Sequence, residues 1–580
     1  MQKTKIICTI GPASDSPEKL KEMMLNGMNV ARLNFSHGTH EQHMEKVERI
    51  KALREELRLP VAILLDTKGP EIRVKTFAEG PVELASGQLF TLTTRDVPGT
   101  NEIVSISFEG LPNNVKKDTR ILLDDGQLEF IVESVEGTEI HCRVAFGGRL
   151  SDRKSINLPG VSVDMPYISE TDKADLAFAY ENDVDFIALS FVRSAKDVLQ
   201  VKSLLAGLGP SRCELISKIE NAEGVENIDE IIRVSDGIMV ARGDMGVEIP
   251  FEELPAIQKT LINKCYRAGK KVITATQMLE SMIKNPRPTR AEITDIANAI
   301  YDGTSAIMLS GETASGKFPV ESLQTMVKIA KKTEESIDYK RRFYDYKTET
   351  NNNITDAISH ATCQTAHDLG AAAIVTVTRN GSTPRMISRF RPQTRIIAVT
   401  PEIKTYLQMA LSWGVIPLLS TYHESSDQVF HDAANRVMEA GLAKEGELVV
   451  ITGSASPHAS VTDALQVHVL GKIIANGAGL GISTVSGKAC VISARKQYTD
   501  FADGSIIIID KTTTESLHLL RRAKGVVTEE DFNVSGIAAA AVALDLPVVS
   551  SVIDATKLIS DGSSIIIDPA NGTVYNGALN

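Results

Sequence analysis

Eight short runs rich in β-branched residues recur along the first 310 residues: TKIICTI, MNVARLN, VAILLD, VDFIALS, CELISKI, DGIMVA, KVITAT and SAIMLS. Stretches of helical periodicity separate them. This alternation predicts parallel strands joined by crossover helices, because a parallel strand is covered on both faces and reads as a continuous apolar run. Each run ends in polar or glycine-rich residues, in order GPAS, FSHG, TKGPEIR, FVRS, Glu220, RGD, QMLES and GETASG. In an eight-stranded (β/α) barrel the strand C-termini share one face and carry the site. Ordinary turn chemistry does not explain eight such endings in register.

The fifth and sixth runs lie in ISKIENAEGVENIDEIIRVSDGIMVARGDMG, residues 216–246. Lys218 and Glu220 close one run, and Arg242 and Asp244 close the other. Two carboxylates and a lysine from adjacent strand ends can thus converge. Such an oxygen-rich pair suits Mg²⁺ or Mn²⁺ better than zinc, and a lysine beside it can neutralise a phosphoryl group or an enolate. Either segment alone also fits a structural ion pair; together they point to a site.

A chain of 580 residues is too long for one hydrophobic core. Residues 1–69 and 166–340 are assigned to the barrel, leaving it somewhat under about 250 residues, the usual size. Residues 70–165 change character: GQLFTLTT, NEIVSIS, TRILLDDGQLEFIVESV and TEIHCRVAF alternate apolar and polar residues between turn residues, predicting antiparallel β structure. This β-barrel insert leaves directly from the TKGPEIR loop, a position suited to a lid. After the charged, Asn-rich bridge KRRFYDYKTETNNN, residues 341–473 read as a doubly wound α/β domain, with strands AAAIVTVT, TRIIAVT, WGVIPLLS and ELVVITG. Its TRNGST turn, Thr378, Arg379, Asn380, Gly381, Ser382 and Thr383, opens a helix and fits either a phosphate site or plain N-cap chemistry; ITGSAS is a candidate facing wall. Residues 474–580 form a further domain. Its glycines fall as GxGxG without a βα unit, so no dinucleotide fingerprint is present.

Apolar and charged fractions of 43% and 23% are those of a globular protein, and a net charge of −12 with no basic run gives no footprint for nucleic acid or a membrane surface. The six cysteines show no CxxC spacing, and no stretch has the apolar length of a signal peptide or membrane span. A cytoplasmic location is expected.

The sequences ARLNFSHG, LLDTKGPEIR, ISKIENAEG, MVARGDMGVEIP, TATQMLESM and MLSGETASGKFP closely resemble the pyruvate kinase family over roughly residues 1–473. The resemblance implies Mg²⁺- and K⁺-dependent phosphoryl transfer from phosphoenolpyruvate to ADP, giving pyruvate and ATP in glycolysis. It also implies a homotetramer regulated by a phosphorylated effector at Thr378–Thr383. It implies Glu220 and Asp244 as Mg²⁺ ligands, and Asn34, Ser36, Asp66 and Thr67 as a K⁺ set that Glu71 accompanies. Lys218, Arg32, Arg73 and Thr276 become the catalytic residues, and Gly243 and Asp244 offer backbone N–H groups to the substrate carboxylate. Asn34, His37, Arg73 and Lys154 face the nucleotide, and Asp124 or Asp125 closes the lid on Arg32. The tail resembles the phosphohistidine domain of phosphoenolpyruvate-utilising enzymes, with Gly536 where the histidine would stand, so no phosphate relay is expected. Two rivals are a Mg²⁺-enolate barrel lyase or aldolase of 2-oxo acids, and a catalytically silent sensor of phosphorylated metabolites. Neither accounts for the lid, the potassium set and the nucleotide-facing residues together with a complete set of catalytic side chains.

Overall fold

The computed structural model describes residues 2–210, 213–345, 353–454, 461–471, 473–481, 483–492 and 501–577. The Asn-rich end of the bridge, the end of ITGSAS and Ile482 in the tail lie outside them. The chain divides into two compact units: residues 1–347 with 379–391 and 400–419, and residues 348–378 with 392–399 and 420–580.

In the first unit all eight apolar runs are strands: Lys5–Thr9, Val30–Asn34, Ala62–Asp66, Phe186–Leu189, Glu214–Ile219, Gly237–Ala241, Lys271–Ala275 and Ala306–Leu309. They close into one barrel, each paired with its sequence neighbour and the first with the eighth. Ile63, Leu65, Ile187 and Leu189 face the helical layer, whereas Leu64, Phe186, Ala188, Ile216 and Met239 fill the interior. Both parities are therefore buried, which is why the runs are continuously apolar. Capping boxes at Thr39, Ser169 and Thr289 start the helices His40–Leu57, Glu170–Glu181 and Arg290–Asp302 and fix where each leaves its strand.

The inward parity changes chemistry along each strand. Val30 is followed two residues on by Arg32, Leu64 by Asp66, Ala188 by Ser190, and Ile216 by Lys218 and then Glu220. A period of two carries the apolar floor directly into a charged mouth.

The insert is a seven-stranded sheet in the order Ile72–Arg73, Ser155–Asn157, Arg120–Leu123, Leu128–Glu136, Glu139–Phe146, Leu89–Thr93, Ile103–Ser105. It curls until its edges meet, with Lys75 N donating to Ser105 O at 2.7 Å and Ser107 N to Arg73 O at 2.9 Å. One pair departs from the antiparallel expectation: Leu89–Thr93 and Ile103–Ser105 run parallel. Nine residues separate these two strands, enough for the chain to cross back before pairing, whereas a tight hairpin would force the antiparallel sense.

In the second unit Arg395–Thr400, Ala373–Val377 and Leu448–Gly453 pair in parallel, and Ala464–Val469 adds antiparallel to the last of these. That edge strand was outside the sequence reading. The third expected run, WGVIPLLS, also forms a strand, Val415–Leu419, within the residues assigned to the first unit. The tail is an eight-stranded sheet whose centre, Val485–Ile492, Ile506–Ile509, Gly525–Thr528 and Val548–Ser550, is parallel. Its glycine-rich opening forms the strands Ile473–Asn476 and Ala478–Leu480 and opens no helix. A Cβ on Gly477 would lie 2.1 Å from Ser550 O, and one on Gly479 1.8 Å from Pro569 O, so these glycines permit close backbone approach.

Candidate active site

The mouth of the barrel holds a buried chain of charges. Lys218 Nζ lies 3.1 Å from Asp66 Oδ1 and 2.9 Å from Glu220 Oε1, and donates to Ser190 Oγ at 2.6 Å. Arg32 Nε donates to Asp66 Oδ2 at 2.7 Å and its Nη1 to Thr9 Oγ1 at 2.9 Å. Asp66 is fully buried and Glu220 is 1% exposed. Burial works against the Lys218 charge, but Asp66 and Glu220 outweigh it and hold the ammonium well above its ordinary range. Burial likewise raises Asp66, yet the Lys218 and Arg32 charges outweigh it and keep the carboxyl below the usual range. Glu220 is different: burial, opposed by Lys218 and reinforced by the like charge of Asp244, pushes it up to about 7.

Glu220 is held from behind. Phe191 N donates to its Oε2 at 2.6 Å, and Phe191 itself takes a left-handed backbone, φ +54°. Its Oε1 is buried and, beyond the ion pair with Lys218, receives no hydrogen bond of normal geometry. Asp244 sits on the helix Arg242–Glu248 after the sixth strand, close enough to bias Glu220, Lys218 and Glu71 electrostatically. Among the described residues no group of three or more His, Cys, Asp or Glu side chains converges. Glu220 and Asp244 are two carboxylates near enough to feel each other's charge, with an incompletely satisfied oxygen on Glu220. That donor chemistry fits a hard divalent ion that keeps coordination positions for water or substrate.

Asn34 and Asp66 are register partners on adjacent strands, and Ser36 N donates to Asn34 Oδ1 at 3.1 Å. Thr67 follows directly, its carbonyl accepting from Ser190 Oγ at 2.7 Å. Asn34, Ser36, Asp66 and Thr67 thus gather at the ends of the second and third strands. Ser190, which the sequence reading missed, joins this oxygen set to Lys218, with a 3.3 Å bond to Asp66 Oδ1 as well. Its signal was its place: the inward-parity residue immediately after the fourth strand.

Thr276 follows the seventh strand with φ +65°, an uncommon conformation for a β-branched residue. Arg242 Nη2 donates to its carbonyl at 2.6 Å, and Asp295 holds Arg242 at 2.6 Å. Gly243 N donates to Thr276 Oγ1 at 2.8 Å. The left-handed turn at Thr276 thus places a hydroxyl over the helix start, where the Gly243 and Asp244 backbone groups expected to meet a carboxylate also lie.

The remaining expected residues do not join this cluster. Arg73 Nε pairs with Glu71 at 2.7 Å and its Nη1 donates to Arg153 O at 2.8 Å, inside the insert. Lys154 Nζ pairs with Asp124 at 2.7 Å, and Asp125 accepts from Ser155 Oγ at 3.2 Å. Neither aspartate is drawn to Arg32, which Asp66 and Thr9 hold. His37 is exposed beside the second strand. Between insert and barrel runs a cleft of about 240 Å³, bordered by Glu71, Asn157, Phe191, Arg193 and Asp244. Farther along, Gly381, at φ +76°, precedes the helix Ser382–Arg389, and Asn380 Oδ1 accepts from Ser382 N at 3.1 Å. In the tail, Gly536 opens the helix Gly536–Ala543, and Ser535 caps it by accepting from Ala538 N.

Residues 1–323 match a family model described as pyruvate kinase, barrel domain; 356–468 match pyruvate kinase, alpha/beta domain; and 501–572 match PEP-utilising enzyme, mobile domain. The chain is 44% identical over 580 residues to a pyruvate kinase of Bacillus licheniformis, covering 100% of this chain and 99% of that one. It is 45% identical to one of Geobacillus stearothermophilus, covering 99% of each chain, and 44% identical to pyruvate kinase 2 of a Synechocystis strain, covering 100% of this chain and 98% of that one. A crystal structure of a pyruvate kinase from Cryptosporidium parvum superposes with a TM-score of 0.77 at 39% identity, covering 81% of this chain and 96% of that chain.

Proposed function

The chain belongs to the pyruvate kinase family and is a phosphotransferase of that type, and from this premise we propose how its residues divide the work. The carrying observation is the buried ammonium of Lys218, fixed by Asp66, Glu220 and Ser190 beside Arg32. A permanent positive charge in a site that excludes water is what a migrating phosphoryl group requires, since positioning and charge stabilisation are the protein's main contributions to this chemistry. Lys218 and Arg32 take up the phosphoryl charge of phosphoenolpyruvate as its P–O bond breaks and a new bond forms to an oxygen of ADP.

Glu220 and Asp244 would hold Mg²⁺ or Mn²⁺; bound there, the ion supplies Lewis-acid polarisation of substrate oxygens. Asn34, Ser36, Asp66 and Thr67 would hold K⁺, which supplies further positive charge beside the phosphoryl group. The three-carbon product gains its proton at the methylene carbon. Thr276 stands nearest that role, with its hydroxyl donated to Ala275 O at 2.6 Å, so delivery requires the hydroxyl to rotate away from that carbonyl. Arg73, His37 and Lys154 meet the nucleotide when the insert closes, and Asp124 or Asp125 then exchanges its partner for Arg32. The four domains are 1–69 with 166–340, 70–165, 341–473 and 474–580. The enzyme is cytoplasmic and homotetrameric, and Thr378–Thr383 receive a phosphorylated effector.

The test is pyruvate release from phosphoenolpyruvate with and without ADP, Mg²⁺ and K⁺: release is expected only with all three. ADP-independent release would sink this assignment. Glu71→Lys is expected to keep activity without K⁺, because an ammonium beside the oxygen set replaces the ion's charge; an unchanged K⁺ requirement in steady-state assays would remove Glu71 from the potassium site. Labelled phosphoenolpyruvate is expected to leave no acid-labile phosphate on residues 474–580, since Gly536 has no nucleophile; phosphohistidine found there by peptide mapping would overturn this.

A further inference from the structure

We infer that the first unit holds a second ligand site, a pocket for one small inorganic anion of chloride size, walled by Ser305, Arg391, Ser412 and Trp413. It lies at the start of the eighth barrel strand, the end opposite the charged mouth. Arg391 is 4% exposed; its Nη2 donates to Gly303 O at 2.8 Å and to Ser305 Oγ at 3.3 Å. Its Nε and Nη1 are buried without an acceptor among the described residues, and so is Oγ of Ser412, which is 2% exposed. Unsatisfied buried donors on a charged group are costly, and three unpartnered polar atoms on residues that line one small cavity point to a missing ligand.

The charge balance identifies its sign. The cavity is also lined by Lys270, Lys271, Arg385 and Arg389 and, among the described residues, by no carboxylate. Lys271 and Arg385 share Glu214, and Lys270 donates to Ser235 O, so the neighbouring cations have partners of their own. Arg391 is faced instead by the rings of Trp413 and Tyr266, whose centroids lie 4.4 and 5.5 Å from its guanidinium carbon. Those faces favour a cation but cancel no charge. Glu334, whose field also reaches Arg391, is engaged by the backbone N–H groups of Lys3 and Thr4 at 2.8 and 2.6 Å. A water molecule would satisfy the donors and leave the positive charge uncompensated; an anion does both. The cavity, about 20 Å³, has room for one particle of water size or slightly larger.

The experiment uses the full chain and bromide as the heavier probe. Crystals grown with sodium bromide are expected to show an anomalous peak within hydrogen-bonding distance of Arg391 and Ser412. In solution the thermal midpoint is expected to be roughly 2–4 °C higher in sodium chloride than in sodium gluconate at equal ionic strength, with saturation. Ser412→Val, which removes the hydroxyl, is expected to abolish that difference, as is Arg391→Met where it folds. A cavity holding only water at high bromide would overturn the proposal. So would equal midpoints in the two salts, or a chloride effect that Ser412→Val leaves unchanged.

Discussion

Lys218→Met is expected to lower kcat by a factor on the order of 10³ or more, with KM for ADP little changed, because it removes charge stabilisation that matters most as the phosphoryl group moves. Rapid-quench measurement of a single turnover separates this loss from product release. The same change leaves Asp66 and Glu220 facing each other in the barrel mouth with Arg32 as the nearest cation. Breaking a buried ion pair by removing one partner costs on the order of 3–5 kcal/mol, so a lower thermal midpoint should accompany the loss of turnover. Neutralising the second charge tells the two effects apart: Lys218→Met with Glu220→Gln should recover stability and no activity. Lys218→Arg is not expected to rescue turnover. A planar guanidinium cannot reproduce a point charge held at 3.1, 2.9 and 2.6 Å by Asp66, Glu220 and Ser190. Near-native turnover in Lys218→Met would remove the lysine from the chemistry.

Glu220→Gln is expected to weaken Mn²⁺ binding by roughly 10-fold to 100-fold or more and to abolish turnover, as read by calorimetric titration and pyruvate release. Its pH behaviour follows from the carboxyl's elevated folded value of about 7. Between the ordinary glutamate value, about 4.3, and that folded value, the folded state binds more protons than the unfolded state. Stability of the metal-free protein therefore falls as pH rises through that window. Metal binding needs the ionised form, so Mn²⁺ affinity should rise up to about tenfold per pH unit below pH 7 and level off above it. Glu220→Gln should flatten Glu220's share of both profiles. A Mn²⁺ affinity independent of pH between about 5 and 7 would show that Glu220 is already ionised or is not a ligand.

The order of strands and the parity of the barrel were legible because they depend on local periodicity. VAILLD and VDFIALS read as buried parallel strands from the run alone, and Lys218 and Glu220 share a face because they are two residues apart. The parallel pair within the insert and the edge strand Ala464–Val469 were not legible, since pairing sense and edge position depend on where the chain returns. Ser190 escaped notice because an isolated serine after a strand has no distinctive pattern. Its importance comes from partners 28 and 124 residues away in the chain.

By itself the sequence determined which residues carry charge at the strand ends, because alternation and turn chemistry are local and survive without coordinates. Only the tertiary structure decided what those charges do. Burial and neighbours set Lys218 permanently ionised, left Glu220 with an incompletely satisfied oxygen, gave the Gly243 N–H to Thr276 and left Arg391 Nε and Nη1 without an acceptor among the described residues. Desolvation and hydrogen bonding depend on what surrounds a group in space, and residues far apart in the chain supply those surroundings.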